Sequence, residues 1–283
     1  MEVRDKDLFL SVKGTFLQGW ISLSSLDTGL SGEMTETKRS LQSCVIPGRQ
    51  FIFCNQVHSL RVLLVDSEGN NIRIVRYEGR WNRNRLIVER DIQGDRILGE
   101  KDISGPLGEA DGIISRIEQY VPGVTVADCL PIFIHQKTKT GPAVLDSPIY
   151  GTLHSGWQGT GILLVALYGI SDLWGLEPRD FEIGFGPGIC RACYAVDTER
   201  AQLLSERFGE RWVERIPGQG EWAGKIQFGI DLLGINQELS TQQGLDLSDQ
   251  EFFCTKELEE FWSYRRTPGG GRMFAFTLGK GSI

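Results

Sequence analysis

The segment from Ile149 to Leu173 constrains this chain more than any other. Ile149-Tyr150-Gly151-Thr152-Leu153 is a short apolar run of strand character. His154-Ser155-Gly156-Trp157-Gln158-Gly159-Thr160 follows, and Gly161 to Leu173 then reads as an apolar helix. A strand feeding a helix through a glycine-rich loop is a unit of α/β structure. It puts His154 at a strand end, where Gly156, Gly159 and Gly161 let backbone pass close by. The new helix points its N-terminal N–H groups back toward the same spot. A lone histidine in such a place is more often a satisfied polar residue of a turn than a chemical group.

The rest of the chain alternates in the same way. Strands are expected over residues 8–23, Phe51–Val57 leading into His58, Leu60–Asp66, Thr125–His135 with an interruption at Pro131, Phe181–Phe185, Phe252–Thr255 and Arg272–Leu278. Helices are expected around Lys38–Gln42, over Thr198–Phe208 with Thr198 as N-cap, and over Asp231–Gln243 before Gly244. Polar or glycine-rich loops are expected at Gln136–Gly141 and at 216–224. The pattern argues for an α/β fold with mixed α+β character. With 283 residues the chain has room for one large domain or two small ones.

Residues 70–104 stand apart. They carry Arg73, Arg76, Arg80, Arg83, Arg85, Arg90 and Arg96 beside Tyr77 and Trp81. The alternation in Ile72–Tyr77 and Leu86–Glu89 predicts a protruding hairpin. Basic residues interleaved with aromatics suit nucleic acid, but Glu78, Glu89, Asp91 and Asp95 can pair with the arginines, and the alternation already explains the pattern. The net charge of -7 likewise opposes binding of nucleic acid or an anionic membrane. Met1-Glu2-Val3-Arg4-Asp5 is too charged to open a signal peptide, and no run approaches the ~20 apolar residues of a membrane span. The six cysteines therefore read as reduced thiols of a cytoplasmic protein.

Chemistry is narrowed by scarcity. There are three histidines, His58, His135 and His154. His135 is expected to be exposed and carries no motif. His58 and His154, with Cys129 from Ala127-Asp128-Cys129-Leu130-Pro131, make a ligand set for a transition metal with an open fourth position. The same residues suit a metal-free thiol hydrolase, with Cys129 as nucleophile, a histidine as base and Asp128 orienting the imidazole. A multicopper oxidase needs more imidazoles than are present, and a blue-copper site lacks a methionine at a telling spacing. The H-x-E and P-C-x-x-C pair of nucleoside-deaminase zinc sites is absent. Cys190-Arg191-Ala192-Cys193 is a C-x-x-C that suits a redox-active pair or half of a structural zinc site, but it has no second cysteine pair and no thioredoxin-like context, so a plain structural reading outweighs both.

With those residues in view, the chain resembles the laccase-domain family, also described as multicopper polyphenol oxidoreductases or purine nucleoside phosphorylase-like proteins. The resemblance rests on Gln56-Val57-His58, Ala110-Asp111-Gly112, Ala127-Asp128-Cys129-Leu130-Pro131, His154-Ser155-Gly156-Trp157, Gly186-Pro187 with Cys193-Tyr194, Asp231-Leu232 with Asn236, Cys254-Thr255, and Ser263-Tyr264-Arg265-Arg266 with Gly271-Arg272. These matches run in family order across roughly residues 51–283. The resemblance implies one domain over 1–283, mixed sheets flanked by helices, with 70–104 as an insertion. It implies zinc rather than copper on His58, Cys129 and His154. Cys129, His154 and Asp128 are the expected catalytic residues, and Gln56, Arg265, Arg266 and Arg272 the expected substrate contacts. The implied reactions are phosphorolysis of adenosine, inosine or methylthioadenosine, using phosphate, and deamination of adenosine. Gln158 and Ala195 depart from the family's usual Arg or Lys and Glu.

Overall fold

The computed structural model describes residues 9–13, 17–23, 28–29, 35–99, 103, 105–137, 148–218, 226–248 and 251–279. Two sheets lie face to face. The larger has eight strands: β4 (Arg61–Glu68), β5 (Asn71–Asn82), β6 (Arg85–Gly99), β7 (Gly112–Ser115), β9 (Leu130–Gln136), β10 (Tyr150–Ser155), β11 (Phe181–Phe185) and β15 (Asp246–Leu247). Their order is β15-β11-β9-β10-β7-β4-β5-β6, parallel only at β4–β7 and β11–β15. The smaller sheet runs β1 (Phe9–Lys13), β2 (Leu17–Ser22), β16 (Met273–Gly279), β8 (Tyr120–Val126), β3 (Gln50–Ile52).

Burial on both faces explains the near-continuous apolar strands at the centre. Every residue of β8, β9 and β10 is buried. The two sheets meet through Phe133 of β9 among Val124, Met273 and Ala275 of the smaller sheet. Thr152 on β10 and Thr277 on β16 join across the interface, 2.8 Å apart, and Thr277 donates to the Gly151 carbonyl. Their polar atoms are thereby satisfied where water does not reach. Helix α2 (Ile162–Trp174) covers the other face of the large sheet, packing Leu163, Val165 and Ile170 among Val62, Tyr77, Ile132 and Leu153. Helix α1 (Glu36–Val45), capped by Thr35, sets Leu41 against Phe274 and Phe276 on the outer face of the small sheet. Four layers result, helix–sheet–sheet–helix. Helices α3 (Thr198–Phe208) and α4 (Leu232–Gln242), with β12 (Ala195–Val196), β13 (Val213–Pro217) and β14 (Ile226–Ile230), form a smaller core around Leu204 and Ile230. The mixed α/β reading holds.

Several local expectations change. Thr125–His135 is not one interrupted strand. It is the end of β8, a turn at 127–129 and all of β9, so the chain crosses there from one sheet to the other. The strand expected over Phe51–Val57 stops at Ile52, and Phe252–Thr255 contributes only an isolated bridge, Gly188 with Cys254. Asp197, not Thr198, caps α3, accepting from the Arg200 N–H at 2.8 Å. The 216–224 loop begins as the end of β13, and 219–225 lie outside the described residues, as does most of the Gln136–Gly141 loop.

The arginine-rich segment is a hairpin, but it does not protrude. β5 pairs with β4 along Arg61–Glu68 and buries Ile72, Ile74, Val75 and Tyr77. Arg76 pairs with Asp91, Arg90 with Asp95 and Arg80 with Glu89, so the sheet edge neutralises its own charge. Its Trp81 donates to the Thr160 carbonyl at 3.1 Å and packs on Gly161, where a Cβ would stand 2.6 Å from the indole. The hairpin thus braces the glycine loop after β10.

His135 is not exposed. It is 2% exposed in β9, stacked on Tyr150, with neither ring nitrogen hydrogen-bonded among the described residues. Burial pushes its pKa down to about 4. The folded value lies below the ordinary one, so the stability tied to the neutral ring is full above about pH 6.5 and is lost as pH falls toward 4. At about 1.4 kcal/mol per pH unit the whole effect is on the order of 3 kcal/mol. Urea unfolding at pH 7 and 4.5 should therefore show a smaller decline for His135→Gln than for the parent chain. An equal decline in both would place the acid sensitivity elsewhere.

Candidate active site

Three turns converge where the two sheets part. His58 follows β3 in the loop before β4, Cys129 occupies the β8–β9 crossing, and His154 is the fifth residue of β10. The metal-binding atoms of the three lie within 4.8 Å of one another. The two imidazoles meet edge to face, 5.0 Å between centroids. Gly156 makes the approach possible, since a Cβ there would stand 2.9 Å from the Cys129 sulfur.

The group that holds this arrangement is Asp111, immediately before β7 and fully buried. One carboxylate oxygen accepts from the His58 N–H at 3.0 Å and lies 2.9 Å from His154 Nδ1. The other accepts from the N–H groups of Val57 and Ser59, at 3.2 and 2.6 Å, and from the Ser59 hydroxyl. His58 has φ of 57°, a left-handed conformation that a histidine adopts at a cost of order 1–3 kcal/mol. Asp111 offsets that cost with the N–H bonds on either side. Because His154 Nδ1 faces the carboxylate, Nε2 is left to face Cys129. Burial pushes the Asp111 carboxyl up, but His154 and Ser59 outweigh it and hold the group ionised.

The protonation of the pair follows. Burial pushes the Cys129 thiol up, but the imidazoles of His154 and His58 outweigh it and bring it to about 6. Burial also opposes charge on His154, yet the thiolate and Asp111 raise that ring to about 10. Between those values the chain holds a thiolate beside an imidazolium. After removal of metal by a chelator, alkylation of Cys129 by iodoacetamide should rise through a midpoint near pH 6, read by peptide mass mapping. A midpoint near the ordinary ~8.5 would contradict the ion pair.

Asp128 does not orient an imidazole. Its carboxylate accepts from the Thr255 hydroxyl at 2.7 Å and the Arg265 N–H at 2.8 Å, fastening the C-terminal loops to the β8–β9 turn. Its φ is 88°. The imidazole-orienting role passes to Asp111, whose Ala110-Asp111-Gly112 context was the only sequence signal. Gln56 faces the cavity, but its amide is engaged by Thr125: Nε2 donates to the Thr125 carbonyl, and Oε1 accepts from its N–H and hydroxyl.

A cavity of about 400 Å³ opens over these residues. Its wall carries Trp157, Tyr194 and Tyr264, each under a guanidinium: Arg200 at 4.9 Å, Arg265 at 5.3 Å and Arg272 at 5.8 Å from the ring centres. Such a wall offers flat faces for a heteroaromatic ring and positive charge for an anion. Arg266 is elsewhere. Its guanidinium donates to the carbonyls of Thr255, Lys256, Leu258 and Phe261, so it clamps a loop rather than lining the cavity. Arg200, on α3, had no signal in the sequence.

The description "multi-copper polyphenol oxidoreductase laccase" matches residues 31–279. The chain belongs to this family. The chain is 29% identical over 202 residues to a Bacillus subtilis protein named purine nucleoside phosphorylase YlmD, covering 67% of this chain and 66% of that one. The chain therefore spans just under two thirds of that relative. A purine nucleoside phosphorylase of Clostridium acetobutylicum is 24% identical over 76% of this chain and 86% of its own. A protein from an unknown prokaryotic organism, named adenosine deaminase RL5, is 28% identical over 63% of this chain and 66% of its own. Among crystal structures, YlmD of Geobacillus stearothermophilus superimposes with a TM-score of 0.62 and 22% identity over 93% of this chain and 92% of its own. A Neisseria meningitidis protein does so at 0.64 and 17% over 97% and 100%. The fold is shared.

The structure also gathers a second group of candidate ligands. Cys190, Cys193, Cys254 and Glu257 place their sulfur and carboxylate atoms within 4.8 Å of one another. The C-x-x-C lacks a second cysteine pair in sequence, but Cys254 and Glu257 stand beside it in space.

Proposed function

We propose that this laccase-family protein is a zinc-dependent enzyme acting on purine nucleosides, by phosphorolysis, by deamination of adenosine, or both. The observation that carries the reading is the meeting of His58, Cys129 and His154 beneath an aromatic and arginine-lined cavity, with Asp111 behind two of the three. The names of the relatives supply the substrate class. Two imidazoles and a thiolate suit zinc in both softness and number, and they leave a fourth position toward the cavity. A carboxylate behind a ligating imidazole is the usual outer partner of such a site. Three histidines in the whole chain are too few for multicopper chemistry.

Zinc bound there supplies Lewis acidity toward a water or a substrate oxygen. The chain's own groups do the rest. Trp157, Tyr194 and Tyr264 offer faces for the purine ring, and Arg265, Arg272 and Arg200 offer positive charge for phosphate. In phosphorolysis a phosphate oxygen bonds to the ribose C1′ as the bond from C1′ to the base breaks. In deamination oxygen adds at purine C6 and ammonia leaves. Asp111 keeps the His154 ring fixed throughout, and Asp128 holds the Arg265 loop at the mouth.

The test is product analysis by mass spectrometry after incubation with adenosine or inosine, with and without phosphate. Free base with ribose 1-phosphate, only when phosphate is present, supports a phosphorylase. Inosine from adenosine without phosphate supports a deaminase. Formation of neither product would overturn the reading. The lowered pKa of Cys129 favours one rival, a metal-free thiol hydrolase. That rival would keep its activity in chelator and lose it to iodoacetamide.

A further inference from the structure

We propose that Cys190, Cys193, Cys254 and Glu257 form a second metal centre, which takes one zinc-class divalent cation on three thiolates and a carboxylate and ties together two loops of the cavity wall. The proposal is independent of what the cavity turns over.

The four groups come from two turns, 64 residues apart in sequence between Cys190 and Cys254. In the first turn the N–H groups of Cys193 and Tyr194 both donate to the Cys190 carbonyl, at 3.0 and 2.9 Å. This tight reversal aims both sulfurs of the C-x-x-C to one side. In the second, Leu258 N–H closes on the Cys254 carbonyl at 3.2 Å, and the C-x-x-E spacing brings Glu257 beside Cys254. The two turns are joined by a short bridge, Gly188 N–H to the Phe253 carbonyl at 3.2 Å and Thr255 N–H to the Gly188 carbonyl at 3.0 Å.

The contacts are those of a binding site. The Cys190 N–H donates to the Cys254 sulfur at 3.4 Å, a bond that favours the thiolate. The Glu257 carboxylate lies 3.7 and 3.5 Å from the sulfurs of Cys190 and Cys193, and no Lys or Arg among the described residues pairs with it. A tetrahedral zinc with bonds of about 2.3 Å needs its sulfurs roughly 3.8 Å apart, and all four ligand atoms here lie within 4.8 Å of one another. The three cysteines are free thiols rather than a disulfide and an odd partner.

The placement gives the centre a role. Tyr194, next to Cys193, lines the cavity, and Thr255, next to Cys254, holds Asp128. The Ile189 N–H donates to the Asp128 carbonyl at 2.9 Å. A cation on the four ligands therefore fixes both loops against the β8–β9 turn and adds to folding stability.

The full-length chain, purified under reducing conditions, tests this by metal quantitation. The Cys129→Ala chain lacks the thiolate of the first group and should still retain one equivalent of zinc. Adding Cys254→Ser should remove that equivalent. Cobalt(II) loaded into the Cys129→Ala chain should show a sulfur-to-metal charge-transfer band. Glu257→Ala alters an exposed residue and keeps all three sulfurs. It should weaken zinc in competition with a chromophoric chelator by ~10-fold or more, at least what losing an outer partner costs. The proposal is overturned if the Cys129→Ala chain binds neither zinc nor cobalt, or if mass analysis finds Cys190 and Cys193 joined with the loss of two hydrogens. It is equally overturned if Glu257→Ala leaves the affinity unchanged.

Discussion

Cys129→Ala should remove zinc from the His58–Cys129–His154 group and lower turnover of purine nucleosides by at least ~100-fold. Losing an outer partner of a metal ligand already costs 10–100-fold, and the sulfur is itself the ligand proposed here. Alanine leaves two imidazoles and no anion among the three. It also removes the thiolate that helps raise His154 to about 10, so the ring would lose its proton more easily. The fold should tolerate the change, because only one sulfur at the cavity floor is deleted and the backbone bonds of the β8–β9 turn remain. Steady-state kinetics with adenosine and inosine, alongside metal quantitation, read the result. Unchanged turnover would take Cys129 out of the chemistry. Cys129→Ser should behave almost as badly, since a hydroxyl does not replace a thiolate on zinc.

Asp111→Ala should cost the most stability of any single change at this site, on the order of 3–5 kcal/mol. The residue is a buried charge with partners on every side, and deleting it strands the groups it served. Three backbone N–H groups, of Val57, His58 and Ser59, would lose their acceptor, and His58 would keep its left-handed backbone without the bonds that offset it. Asp111→Asn separates position from stability. The amide has the same shape but one acceptor oxygen, and its NH₂ would face N–H donors. It should fold, bind zinc at the His58–Cys129–His154 group about 10–100-fold more weakly, and lose activity that added zinc partly restores. Urea unfolding and zinc titration of both variants check this. If Asp111→Asn matched the parent in zinc affinity, the carboxylate would be a structural group alone.

Local pattern carried much of the architecture. The apolar run before His154 is strand β10, apolar because it is buried on both faces, and the apolar run after Gly161 is helix α2, whose buried residues pack on the large sheet while Tyr168 and Asp172 face outward. His58, Cys129 and His154 were identifiable because histidine is scarce here and each stands at a glycine, proline or polar break. Errors arose where a residue's surroundings come from distant chain. His135 looked like a strand end before a polar loop, yet its neighbours are Tyr150 of β10 and Glu182 of β11. Asp128 stands beside Cys129 in sequence but turns to Thr255 and Arg265, while Asp111, eighteen positions from Cys129, takes the imidazole. Arg266 resembles its neighbour Arg265 and has a different task, because its guanidinium is taken up by the carbonyls of Thr255, Lys256, Leu258 and Phe261 while Arg265 lines the cavity.

From sequence alone came the element types, the mixed α/β class and the shortlist of metal-binding residues. Those follow from periodicity and residue chemistry, which are local. Tertiary structure decided which carboxylate serves which histidine, which arginines line the cavity, and that Cys254 and Glu257 complete the pair at Cys190 and Cys193. Each of those pairings joins separate turns or strands, so it depends on strand order and sheet stacking. Those are set by the packing of the whole core, which no window of the sequence contains.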